Sequence, residues 1–139
     1  MEPIVLTYPV DGEDFSMAGE ASSATKKMLK QLGFSPDMIR RVAIAMYEGE
    51  INMVIHAEGG EARVEISQEN VKIILADHGP GIKDIDLAMQ EGYSTAPEEV
   101  RNLGFGAGMG LPNIKKYSDD LKIDSVPGVG TTLTIIINA

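Results

Sequence analysis

Three groups of residues have types and spacing that could do chemistry. Glu48 and Asn52 stand four apart in a stretch of helical period, so both side chains leave one face, one turn above the other. A carboxylate there can take the proton of an attacking hydroxyl or water, and a carboxamide oxygen is a hard ligand suited to Mg²⁺. Asp77 closes the apolar run Val71 to Ala76 and precedes Gly79 and Gly81. At a strand end such a carboxylate can accept a hydrogen bond from an exocyclic amine, and glycines let a flat ring approach the backbone. The third group alternates Gly104, Gly106, Gly108 and Gly110 with Phe105, Ala107 and Met109, then enters a helix at Leu111. That design turns backbone N–H groups and a positive helix end toward a phosphate.

Each signal alone has a plain structural alternative: a solvated helix face, an Asp-to-Gly turn, a flexible glycine loop. Two other nucleotide sites fail on spacing. No Lys follows the glycines as a P-loop requires, since Lys115 is already inside the helix. A dinucleotide site wants a strand directly before its glycines, and Ala96 to Asn102 is polar.

Composition narrows the function classes. The 139 residues suit one domain with a real core. There is no cysteine, which excludes disulfides and thiolate chemistry, and His56 and His78 are too few for a zinc site. A net charge of −9 argues against nucleic acid, whose affinity comes from neutralising phosphates with Lys and Arg. Met1 to Tyr8 carries no signal-peptide pattern and no window approaches a membrane span, so the expectation is a cytoplasmic protein with no membrane partner.

The elements that must position these residues follow from periodicity. Ile4 to Tyr8 reads as a strand, and a helix is expected from about Phe15 to Leu32 with Met17, Ala21, Ala24, Met28 and Leu32 as its buried stripe and Gly33 as its cap. Ser35-Pro36-Asp37 starts a second helix that ends near His56 or Ala57, buried through Met38, Val42, Ala45, Met46 and Met53. Strands over Ala62–Ser67 and Val71–Ala76 flank a turn at Gln68 to Asn70. A short helix near Ile85 to Gln90, a long polar loop to Met109, a helix from Leu111, and strands over Leu121–Val126 and Thr131–Asn138 complete the chain. The order predicts a single α+β domain over residues 1–139, a two-layer sandwich whose mixed, mostly antiparallel sheet carries its helices on one face.

Taken in order, Glu48-x-x-x-Asn52, Asp77-x-Gly79-x-Gly81, Gly106-x-Gly108-x-Gly110-Leu111 and Gly130-Thr131-Thr132 resemble the GHKL family of ATP-binding domains, with its Bergerat nucleotide fold. Four dispersed motifs in sequence are far more specific than any one. Within the family the chain is most similar to the small bacterial anti-sigma factors and switch-protein serine kinases, since its length leaves no room for a dimerisation helix or a transducer domain.

The resemblance implies a site residue by residue. Glu48 would be the general base toward an acceptor serine, and Asn52 would ligate Mg²⁺. Asp77 would receive the adenine amino group, with Gly79 and Gly81 leaving room for the base. The Gly104–Gly110 loop and Leu111 would wrap the phosphates, and Thr132 or Thr131 would lie near the adenine through water. Arg101, Lys115 or Lys116 could meet the terminal phosphate. The function implied is an ATP- and Mg-dependent serine/threonine protein kinase of a partner-switching pathway. Its substrate would be a STAS-domain antagonist, it could hold a sigma factor, and a homodimer is compatible with the family. A non-catalytic, nucleotide-gated binding module that sequesters a regulatory partner is the alternative, and a histidine-kinase catalytic domain acting in trans is a third.

Overall fold

The structure is a computed structural model and describes residues 3–11, 19–57, 59–79 and 110–139. These form strands β1 (Ile4–Asp11), β2 (Gly59–Ile66), β3 (Asn70–Asp77), β4 (Asp120–Val126) and β5 (Gly130–Asn138), with helices α1 (Glu20–Gln31), α2 (Pro36–Ala57) and α3 (Gly110–Tyr117). The short helix expected near Ile85 to Gln90 and the loop to Met109 lie outside the described residues.

The strands make one sheet in the order β1-β2-β3-β5-β4. Every pairing among the described strands is antiparallel, where the expectation was a mixed, mostly antiparallel sheet. β4 runs in the direction of β3, but β5 folds back between them, so no parallel pair forms. Alternation then sorts the side chains. Ala62, Val64 and Ile66, Val71, Ile73 and Leu75, and Leu133, Ile135 and Ile137 are buried toward the helices. Their neighbours face the open side, where Arg63 pairs with Glu65 at 3.2 Å.

The hairpin between β2 and β3 turns one residue earlier than the sequence suggests. Ser67 Oγ accepts from the amides of Glu69 (3.3 Å) and Asn70 (3.2 Å), which releases Asn70 to the strand. At the other hairpin Val129 N–H donates to Val126 O at 2.9 Å across Pro127-Gly128.

α2 is the central helix. Ser35 caps it as expected, its Oγ accepting from Met38 N–H at 3.2 Å. The five predicted core positions, Met38, Val42, Ala45, Met46 and Met53, are all buried, and the helix packs against α1, α3 and strands β2, β3 and β5. Such a surrounded helix has little free surface, which is why Ile39, Ile51 and Val54 are buried as well.

α1 departs from its expected stripe. Its described part begins at Glu20, and the residues it buries are Ala21, Ser22, Thr25 and Leu29, whereas Leu32 is 42% exposed. Two hydroxyls can be buried here because each returns to the helix's own carbonyls. Ser22 Oγ donates to Gly19 O at 2.9 Å and Thr25 Oγ1 to Ala21 O at 2.9 Å. The C-terminus ends as predicted. Gly33, at φ 82°, donates to Lys30 O (3.2 Å) and Phe34 to Leu29 O (3.1 Å), the paired bonds of a Schellman ending. Among the described residues no helix is long and apolar enough to cross a membrane.

Candidate nucleotide site

Asp77 is the last residue of β3, one step past the final pair of the β3–β5 ladder, Ala76 with Thr132. It continues the alternation of Ile73 and Leu75, so its carboxylate turns toward the helical layer. Oδ1 accepts from Gly79 N–H at 3.0 Å and from Thr131 N–H at 3.1 Å. One bond folds the chain after the strand, and the other ties the strand end to β5. Both bonds that Asp77 makes among the described residues fall on Oδ1, so Oδ2 is the oxygen able to meet a ligand's amine.

Thr131 lies on the same face of the sheet as Asp77 and is 8% exposed, with its hydroxyl 2.9 Å from Ser125 Oγ. Thr132 is on the opposite face, paired with Ala76 and with Asp124. Of the two threonines, only Thr131 shares a face of the sheet with Asp77. Gly130 lets β5 come this close: its φ is +152°, and a Cβ there would collide with the carbonyl oxygen of Asp77.

Glu48 and Asn52 are both half-buried on α2, and their four-residue spacing puts them on one face of it. The helix is pressed onto β3 at Gly49, where a Cβ would collide with Leu75 Cδ1 and lie 3.7 Å from Ile114 Cδ1. Three elements therefore converge beside Glu48: α2, β3 and α3. One turn further on, Met53 Cε and the Cα of Asp77 both lie against Gly60, at 2.6 and 2.9 Å from where its Cβ would be. The turn holding Asn52 thus runs beside the strand end that holds Asp77.

Glu48 has a partner that sequence reasoning did not identify. Asn113 Nδ2, in the first turn of α3, donates to Glu48 Oε1 at 3.3 Å. Nothing local announces a pair 65 positions apart. A second missed residue is Glu50, 2% exposed, whose Oε2 accepts from the amides of Gly19 (2.8 Å) and Ala21 (3.2 Å) and whose Oε1 accepts from Ser22 (3.0 Å). A carboxylate on α2 thereby serves the open N–H groups of α1. Here a signal existed: Glu50 follows Val42 and Met46 at intervals of four, a carboxylate inside the buried stripe.

α3 begins at Gly110, where the glycine run ends, and its first turn contains no acidic residue. An N-terminus of this kind suits an anion. Leu111 is buried beneath it. Gly81, Gly104, Gly106, Ala107, Gly108, Met109 and Arg101 lie outside the described residues. Lys115 and Lys116 are exposed near the far end of α3, with Lys116 Nζ 5.5 Å from the Tyr117 ring centroid. His78 is exposed.

A nucleotide and a divalent cation fit this donor set. Asp77 offers an acceptor at the end of β3, Asn52 a carboxamide on α2, and α3 its N-terminus. Among the described residues no cluster of three or more His, Asp and Glu side chains forms, so a Mg²⁺ at Asn52 would draw its other ligands from phosphate and water, as is usual for that ion.

Comparison with known proteins places the chain in a family. The histidine kinase-like ATPase domain matches residues 14–137. The serine/threonine-protein kinase RsbT of Bacillus subtilis is 33% identical over 115 residues, covering 80% of each chain. The anti-sigma F factor of Clostridium beijerinckii is 33% identical over 121 residues, 83% of this chain and 81% of the relative. That of B. subtilis is 32% identical over 113 residues, 77% and 74% of the two chains. With a matching domain across nearly its whole length and relatives of this kind, the chain belongs to the histidine kinase-like ATPase family, in its GHKL branch of partner-switching kinases and anti-sigma factors.

Proposed function

We propose that this protein is an ATP-dependent serine/threonine protein kinase that phosphorylates a STAS-domain antagonist and so controls release of a sigma factor or equivalent partner. The observation that carries this reading is Glu48. Its carboxylate is half-buried on α2, held through Oε1 by Asn113, and set beside the helix that follows the glycine run. A carboxylate so placed can accept a proton from an acceptor hydroxyl.

In the reaction, the serine oxygen bonds to the γ-phosphorus as the bond from that phosphorus to the β–γ bridging oxygen breaks, leaving ADP. Glu48 takes the hydroxyl proton. Asp77 orients the adenine through Oδ2, with Thr131 beside it and Gly79 and Gly81 making room. Asn52 would hold a Mg²⁺, which would supply neutralisation of phosphate charge. The first-turn amides of α3, together with the Gly104–Gly110 loop, bind the phosphates. Phosphoryl transfer depends on positioning and charge neutralisation more than on covalent catalysis, so no enzyme nucleophile is needed.

The test is label transfer. Purified protein, γ-labelled ATP and Mg²⁺ are incubated with STAS-domain proteins from the same genome, and acid-stable phosphoserine or phosphothreonine is expected on one of them. Glu48→Ala should lower transfer by about 10²- to 10⁴-fold, the usual range for a general base, while nucleotide binding persists. No transfer to any such protein by the wild type would overturn the kinase reading. Partner capture that survives Glu48→Ala without turnover would point instead to a nucleotide-gated binding module.

A further inference from the structure

We infer that Asn113 is the positioning residue for Glu48: its carboxamide pins one carboxylate oxygen and leaves the other to receive the proton. The inference rests on the kinase reading above.

The bond between Asn113 Nδ2 and Glu48 Oε1, 3.3 Å long, has only one chemical sense. An ionised carboxylate solely accepts, so the amide must present its nitrogen. Half-buried, Glu48 keeps rotamer freedom unless something holds it, and the hydrogen bond it makes among the described residues is to Asn113, not to Ile44 or Asn52 one turn away on α2. Asn113 is the group that holds it among the described residues.

The two backbones that carry the pair are themselves fixed. Gly49 and Ile114, each adjacent in sequence to a member of the pair, meet at the point where α2, α3 and Leu75 of β3 converge. Ile114 is fully buried, so the α3 turn bearing Asn113 is anchored in the core. The donor therefore reaches Glu48 from a rigid frame. It is also neutral. A lysine or arginine in its place would orient the carboxylate but compete with the acceptor hydroxyl's proton for its negative charge, whereas a carboxamide orients it with a weaker bond. Asn113 stands three residues after Gly110, so the segment proposed to bind phosphate and the residue that orients the base belong to one continuous stretch of chain.

The experiment uses the full chain with Mg-ATP and water as the phosphoryl acceptor, measuring ADP formation in single turnover. Binding of a non-hydrolysable ATP analogue is measured separately by calorimetry. Asn113→Ala should slow turnover by about 10- to 100-fold, the loss typical of a misplaced catalytic group, with analogue affinity changed by less than about threefold. Asn113→Asp keeps the shape, loses the donor and sets a second negative charge beside Glu48, so its loss should be at least as large. In a Glu48→Ala background, adding Asn113→Ala should leave the residual rate unchanged to within about twofold, because the two act as one unit. Melting temperatures of the variants confirm that they fold.

Turnover at the wild-type rate in either Asn113 variant, a loss that appears wholly in analogue affinity, or an undiminished loss in the Glu48→Ala background would each overturn the assignment while leaving the kinase reading intact. A wild type that forms no ADP and transfers no label to any STAS-domain protein would overturn the kinase reading, and with it this one.

Discussion

Replacing Glu50 by Ala tests whether one carboxylate joins the first two helices. Glu50 is 2% exposed and accepts three backbone N–H groups at the start of α1, at 2.8, 3.2 and 3.0 Å. Hydrogen bonds to a charged group contribute about 1.5–3 kcal/mol each. Two effects reduce the sum. The freed amides sit at a helix end, where Gly19 is only half-buried and water can replace part of the loss. Removing the carboxylate also relieves the cost of keeping it from water. Losing a capping side chain alone costs about 0.5–2 kcal/mol, and truncating buried methylenes adds a cavity term, so a net destabilisation of about 2–4 kcal/mol is expected. For a domain of this size that lowers the melting temperature by about 6–12 °C. Glu50→Gln keeps the volume and one acceptor but loses the charge, and it should cost about 1–2 kcal/mol. Calorimetry reads both variants, and hydrogen exchange reads the amides of Gly19, Ala21 and Ser22, which should lose protection in Glu50→Ala. A melting point within about 2 °C of the wild type, or unchanged exchange at those amides, would refute the capping argument.

Two further substitutions probe the strand-end half of the site. Asp77→Asn retains an oxygen for Gly79 and Thr131 but offers an amide nitrogen where Oδ2 stood, so ATP affinity should fall about 10- to 100-fold by calorimetry while the fold melts near the wild-type temperature. Gly130→Ala places a methyl against the carbonyl oxygen of Asp77 at a φ of +152°, and urea titration should show a loss of about 1–3 kcal/mol with weakened nucleotide binding.

Much of the architecture could be read along the chain because the signals were local. The Ser35-Pro36 start of α2, its buried methionines, and the Gly33 ending of α1 each depend on residues within a few positions of one another. The two hairpins follow from the same kind of short-range pattern. α1 shows where this fails. Its expected stripe followed hydrophobicity, but the buried face contains Ser22 and Thr25, whose hydroxyls bond within the helix, and its start is set by a carboxylate about thirty residues away.

The candidate site divides along the same line. The residue types and their order, Glu48 and Asn52, Asp77 and Gly79, Gly110 and Leu111, Gly130 and Thr131, are properties of the sequence, and they carry the resemblance to the family. Which threonine accompanies Asp77 depends on strand alternation and register, because a shift of one residue moves a side chain to the other face of the sheet. The partners of Glu48 and Glu50 depend on how α3 and α1 pack against α2, and no local pattern encodes a contact between distant segments. The sequence by itself therefore determined the chemistry available to this protein. Tertiary packing alone decided the surroundings of Glu48 and Glu50: α3 packs where Glu48 projects, leaving it half-buried against Asn113, and α1 packs where Glu50 projects, burying it as a cap.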